Sequence, residues 1–251
     1  MIILELDIGN SRIKWRATDT TKGAAVKVGE AAGLQELKTN LSEVKPDAVR
    51  LCSVRGKTFT SSVCQWFKDS WGIEALEAKV ERSSGGVTNN YEDLSQLGID
   101  RWLAMLAAYQ LAGSTCVIVD SGTALTLDIL AEDGCHEGGY ILPGLKLMAV
   151  SLESNTGIHL SEELPVATPE PGHSTDEAVI NGNLTALLSL VKQVLQSVAE
   201  QNPSVKLFLS GGDAEQLNKH IPFENKQLVR SLGLEGLAIA CPVEGEGGDQ
   251  L

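Results

Sequence analysis

Two short segments of this sequence carry residue types suited to gripping phosphate. Asp7-Ile8-Gly9-Asn10-Ser11, followed by Lys14, lies near the start, and Asp120-Ser121-Gly122-Thr123-Ala124 lies close to half a chain length later. A glycine turn turns backbone N–H groups toward an anion, and Asn10, Ser11 and Thr123 add side-chain donors. Lys14 adds positive charge, and Asp7 at a strand end suits a hydrated Mg²⁺. Each segment alone is equally compatible with a plain hairpin in which the Asp and Asn residues only shape the turn. The repetition argues for more: two such turns facing one another would hold a polyphosphate and its cations from both sides.

A third constellation is Gly98-Ile99-Asp100-Arg101, opening an apolar helix that runs to Leu111. Asp100 fits a helix N-cap. Arg101 fits less easily, because a cation in the first turn opposes the helix dipole unless a carboxylate ligand or partner compensates. Asp100 is thus either a cap or a general base beside an anion-binding arginine. Gly211-Gly212-Asp213 sits between a strand and a helix; the glycines either let a nucleotide base or ribose approach the backbone or form a simple strand–helix turn. Gly56-Lys57-Thr58 mimics the end of a Walker loop, but its first glycine position is Leu51, and the loop cannot close. The four histidines show no ligand spacing, and the four tryptophans read as core or lobe-interface residues.

The elements that position these residues repeat. Residues 2–17 and 116–130 each read as an apolar strand, an Asp-x-Gly turn and an alternating strand, a hairpin signal. Strands and helices alternate in both halves: helices near 32–41, 59–71, 101–111, 145–152, 175–201 and 234–240, strands near 47–54 and 205–209. We therefore expect an α/β protein of two related lobes with mixed sheets, 1–114 and 115–251. Its 251 residues are 43% hydrophobic and 21% charged, with 33 acidic against 20 basic residues and a net charge of −13. Such acidity disfavours nucleic acid and anionic membranes as partners. No apolar run signals a membrane span, no secretory signal is evident, and five unpaired-looking cysteines suit a reducing cytoplasm. The acidic tail 244–251 reads as disordered.

Taken together, Asp7-x-Gly-Asn-Ser-x-x-Lys14, Gly98-x-Asp-Arg101, Asp120-x-Gly-Thr-Ala124, Gly139-Tyr140-Ile141-Leu142-Pro143-Gly144 and Ser210-Gly211-Gly212-Asp213 occur in an order that resembles the type III pantothenate kinases, also known as Bvg accessory factor-like proteins. The resemblance spans about residues 2–240. It implies two ribonuclease H-like lobes in the actin-like arrangement of acetate and sugar kinases. It also implies transfer of the ATP γ-phosphoryl to the 4′-hydroxyl of pantothenate, the first step toward coenzyme A, by a homodimer using Mg²⁺ and K⁺ or NH₄⁺. On this chain Asp7, Gly9, Asn10, Ser11 and Lys14 would form the first phosphate loop, with Asp7 near Mg²⁺. Asp100 would be the general base and Arg101 the carboxylate clamp, with Gly98, Ile99 and Tyr91 completing the pantothenate site. Asp120 would help hold the monovalent cation, Thr123 would meet phosphate, and Gly211 and Gly212 would lie near adenosine. Thr175 would reach substrate from its own or the neighbouring protomer. The stretch Asn155–Leu160 departs from the Thr-Ala-x-Leu-Pro-like segment common in the family. Two rivals remain on the same fold: a phosphatase, and an ATP-binding regulator without turnover.

Overall fold

The computed structural model describes residues 1–245, and residues 246–251, most of the acidic tail, lie outside it. Two compact units emerge: Met1–Gln110 together with the segment from Leu232, and Leu111–Ser231.

The first unit holds a five-stranded sheet of β1 (Ile2–Ile8), β2 (Ile13–Asp19), β3 (Ala24–Ala31), β4 (Ala48–Ser53) and β5 (Leu76–Glu77), ordered β3-β2-β1-β4-β5. The first three strands are antiparallel, and β4 and β5 return parallel to β1 after the crossover helices α1 (Leu34–Asn40) and α2 (Lys57–Trp71). Leu4, Leu6 and Ile8 point to one face and pack with Leu37, Leu41, Val63 and Phe67 of those helices. A small hairpin, β6 (Ser83–Ser84) and β7 (Val87–Thr88), precedes α3 (Ile99–Ala112), whose residues Arg101 to Ala108 are all buried.

The second unit repeats the plan. Strands β8 (Cys116–Ser121), β9 (Ala124–Leu130) and β10 (His136–Pro143) are antiparallel; β11 (Lys206–Ser210) and β12 (Lys226–Leu228) run parallel to β8, in the order β10-β9-β8-β11-β12. The connections are α4 (Leu145–Asn155), α5 (Thr175–Gln201) and α6 (Ala214–His220). This strand order and sense define the ribonuclease H-like topology, so the internal echo of the sequence is a duplicated fold. α5 begins with an N-cap: Ser174 Oγ accepts from Glu177 N (3.2 Å), and Glu177 Oε2 reaches back to accept from His173 N (2.7 Å).

At 27 residues, α5 is long and apolar enough to cross a membrane by length and composition, a feature the sequence reading passed over. Its apolar side is used elsewhere: Leu184, Leu187, Leu188, Val191 and Leu195 are buried in the core with Val117, Val119, Leu207 and Leu209 of the sheet.

The last helix, α7 (Leu232–Ala240), packs on β1 and β4 of the first unit, whereas the expected single cut at 114/115 grouped it with the second. A buried charge network holds it there. Glu5, fully buried, accepts from Arg50 and Arg16; Arg50 Nη1 donates to Cys241 O (3.2 Å), and Arg16 reaches Leu234 O (3.1 Å) and Glu235 (2.6 Å). Removing one partner of such a buried pair costs about 3–5 kcal/mol. Gly236 allows the close crossing of α7 over α3, since a Cβ there would strike the Leu103 backbone.

Candidate active site

The first Asp-x-Gly turn closes through Gly9 N to Arg12 O (3.0 Å), which leaves Asn10 and Ser11 exposed at its tip. Lys14 stands opposite Asp7 in the β1–β2 register. Two residues that the sequence reading missed hold this turn from β4 and the segment after it. Arg55 Nε donates to Gly9 O (2.7 Å), with its guanidinium 4.7 Å from the Phe59 ring centre. Cys52, paired with Asp7 in the parallel register, donates its thiol to Asp7 Oδ1 (3.4 Å). Burial pushes the Cys52 thiol well above its usual range, and the nearby carboxylates of Asp7 and Asp100 push it further. The thiol therefore stays protonated. Gly233, in the first turn of α7, leaves room for Asp7: a Cβ there would lie 3.1 Å from Asp7 Oδ2. No motif flags Arg55 or Cys52, because each acts through register or reach.

At the start of α3 the first helical hydrogen bond runs from Trp102 N to Gly98 O (3.0 Å), so Gly98, not Asp100, occupies the cap position. The cap reading of Asp100 fails for this reason. Asp100 is the second helical residue; it is exposed, its Oδ1 accepts from Arg101 N (2.9 Å) and hangs over Gly98, where a Cβ would lie 2.5 Å from it. Arg101 is buried, 5% exposed, and its Nη1 donates to Tyr91 Oη (2.9 Å), with the guanidinium 5.6 Å from the Tyr91 ring centre. Gly98 and Ile99 line an adjoining open cleft of about 580 Å³ with Ser53, Val54, Lys79, Val80 and Leu97. The structure thus gathers Gly98, Ile99, Asp100, Arg101 and Tyr91 into one neighbourhood of the first unit.

The second turn closes through Gly122 N to Ala124 O (2.9 Å). Asp120 Oδ1 lies beside it, 3.7 Å from where a Gly122 Cβ would be. Two glycine segments press on this turn through their backbones. Gly144 N donates to Thr123 O (2.9 Å), and a Cβ on Gly144 would collide with Gly122 O. Gly211, at φ +95°, lies against the Ser121 backbone, and Asp213 N donates to Ser121 O (3.0 Å). Burial raises the Asp213 carboxyl above the usual carboxylate value. Asp120, Thr123, Gly211 and Gly212 are therefore neighbours. Thr175 stands in the exposed first turn of α5. Gly56-Lys57-Thr58 is the capped start of α2, as its rejection as a phosphate loop anticipated.

A duplicated ribonuclease H-like fold with an Asp-x-Gly turn at the same place in each half defines the actin-like fold class. Solved structures agree on the fold. A conserved Baf family protein of Campylobacter jejuni, described as a transcriptional activator, superposes with TM-score 0.59 at 21% identity, covering 93% of this chain and 94% of that one. A 2-dehydro-3-deoxygalactonokinase of Sinorhizobium meliloti gives TM-score 0.55 at 12% identity, covering 94% and 97%. The family model for type III pantothenate kinases matches residues 3–197, and the type III pantothenate kinase of Ectopseudomonas mendocina is 40% identical over 253 residues, covering 96% of this chain and all of the relative. The chain belongs to the type III pantothenate kinase family.

Proposed function

We propose that the protein transfers the γ-phosphoryl group of ATP to the 4′-hydroxyl of pantothenate, with Asp100 as the base and Arg101 as the carboxylate clamp. The observation that carries this reading is the start of α3, where an exposed carboxylate adjoins a buried guanidinium stacked by Tyr91. The substrate has a hydroxyl to deprotonate and a carboxylate to hold, and these two side chains answer those two needs. The hydroxyl oxygen bonds to the γ-phosphorus, the bond from phosphorus to the β–γ bridging oxygen breaks, ADP leaves, and the hydroxyl proton passes to Asp100. As general base, Asp100 accepts that proton late in transfer. Gly98 and Ile99 border the pantothenate through the backbone.

Phosphoryl transfer asks for positioning and charge neutralisation more than covalent chemistry. In the first unit the Gly9 turn, Asn10, Ser11 and Lys14 offer donors suited to phosphate, and in the second unit Thr123 does. Gly211 and Gly212 leave backbone space for the adenosine. Mg²⁺ needs only one or two protein carboxylates when phosphates and water complete its shell, and Asp7 at its strand end suits that role. No cluster of three metal-ligating side chains occurs among the described residues, in keeping with a metal carried largely by the nucleotide. A Mg²⁺ ion held there by Asp7 would supply neutralisation of phosphate charge. Asp120, beside its glycine turn, offers a hard oxygen donor for K⁺ or NH₄⁺.

A homodimer is supported by apolar side chains left exposed on the edge strand β10 and on α4: Tyr140, Ile141, Leu147 and Val150. In that assembly Thr175, exposed in the first turn of α5, is available to the substrate of its own or the neighbouring protomer. Five free cysteines favour the cytoplasm as its location.

Asp100→Asn tests the reading. Asn keeps an oxygen to accept from Arg101 N but loses the base. Turnover should fall about 10³-fold, within the span usual for general bases, while thermal stability holds. Turnover within threefold of wild type at an unchanged melting temperature would remove Asp100 from the chemistry.

A further inference from the structure

The residues that hold substrate in the first unit are themselves held, and the holding converges on Arg82. The chain leaves β5, passes Arg82, and turns through β6 and β7 before reaching Tyr91. Gly85 and Gly86 form the hairpin tip with φ of +55° and +81°. A Cβ on Gly85 would lie 2.6 Å from Ile239, and one on Gly86 3.0 Å from Tyr109. The tip is thus seated on α3 and α7. At the open end, Asn89 N donates to Arg82 O (2.9 Å).

The Arg82 side chain then spans the segment that follows. Nη1 donates to Asn89 O (2.8 Å) and Tyr91 O (2.9 Å), and Nη2 reaches Glu92 O (3.4 Å). The buried Asn89 accepts Tyr91 N at Oδ1 (2.9 Å). Both backbone polar groups of Tyr91 are therefore fixed, its carbonyl by Arg82 and its N–H by Asn89. Tyr91 Oη in turn accepts from Arg101, so one line of contacts runs from Arg82 through Tyr91 to the Arg101 guanidinium. Hydrogen bonds from a charged donor are about twice as strong as neutral ones, and a planar guanidinium can satisfy several carbonyls at once where an ammonium cannot.

We infer that Arg82 is a positioning residue for carboxylate recognition: it fixes the Tyr91 backbone so that Tyr91 and Arg101 present a preset clamp to pantothenate. The inference rests on the proposed role of Arg101 at the substrate carboxylate. A residue with only a structural role would weaken all substrates alike. A positioning role for the clamp weakens selectively those that carry the carboxylate.

The test compares pantothenate with its primary-alcohol analogue, in which CH₂OH replaces the carboxylate, in full-length wild type, Arg82→Ala, Arg82→Lys and Arg101→Gln. Melting temperatures are recorded for each. Arg82→Ala, by freeing the Tyr91 carbonyl, should raise the KM for pantothenate about tenfold and leave the KM for ATP and for the alcohol unchanged. Arg82→Lys should lose about half of that preference on a logarithmic scale, and it carries the test if Arg82→Ala fails to fold. Arg101→Gln should abolish the preference. Loss of preference in Arg101→Gln with wild-type preference in both folded Arg82 variants would overturn the role of Arg82 alone. Wild-type preference in Arg101→Gln would overturn the carboxylate site itself, and the inference with it.

Discussion

The two Asp-x-Gly turns occupy equivalent places in equivalent sheets, yet they are held by different means. The first is held by side chains: Arg55 on the Gly9 carbonyl, the Cys52 thiol on Asp7, and a gap at Gly233 that receives the carboxylate. The second is held by backbone against backbone, with Gly144 on the Gly122–Thr123 peptide and Gly211 on Ser121. Duplication has preserved the strand order and the aspartate, and the restraints around them have diverged. Side-chain restraints can be weakened one at a time, and the neighbouring substrate clamp is built in the same manner. A backbone contact between glycines admits no side chain at all, so it either stands or fails.

The largest effect should come from breaking the second turn while sparing the first. Gly211→Ala combines a positive φ with a collision against Ser121, and should cost about 3 kcal/mol and lower the melting temperature by about 6–12 °C. Gly9→Ala, by contrast, meets only the Arg12 carbonyl at 3.1 Å without a positive φ, and should cost about 1 kcal/mol. Thermal denaturation of the pair checks this, and equal losses would erase the distinction. A smaller effect should sharpen it. Arg55→Ala removes one charge-assisted hydrogen bond from the Gly9 turn, and should raise the KM for ATP about tenfold while the melting temperature moves by less than about 4 °C. An unchanged KM would mean that the first turn does not rely on Arg55.

Much of this was legible in the sequence because the relevant signals are local. The two hairpins, α2, α3, α5 and both glycine segments announce themselves through alternation, caps and Gly pairs, and the expected site residues other than Thr175 lie at the first turn, at the start of α3 or at the second turn. What escaped notice lacks a local signal. β3 is an edge strand with most of its residues exposed, so Ala24–Ala31 shows no buried alternation. β12 is three residues long, and β6 and β7 are two each. α7 reads as a helix, but its docking on the first unit depends on Arg16, Glu5 and Arg50, residues nearly a whole chain length away. Asp100 looked like a cap because the helix was begun two residues late; Gly98, which lacks a capping side chain, gives its carbonyl to the first bond instead. Arg82 and Arg55 act on carbonyls, and carbonyls belong to every residue.

The central claim is that this chain phosphorylates pantothenate with the help of a monovalent cation, and direct detection of 4′-phosphopantothenate by mass spectrometry tests it most simply. Purified protein is incubated with pantothenate, ATP and Mg²⁺, once with K⁺ or NH₄⁺ and once with Na⁺ alone, without coupling enzymes that themselves need K⁺. Product that forms with K⁺ or NH₄⁺ and falls away in Na⁺ is the predicted result. ATP bound but no product under either condition would contradict it, and would leave a nucleotide-binding protein whose Asp100 has no proton to accept.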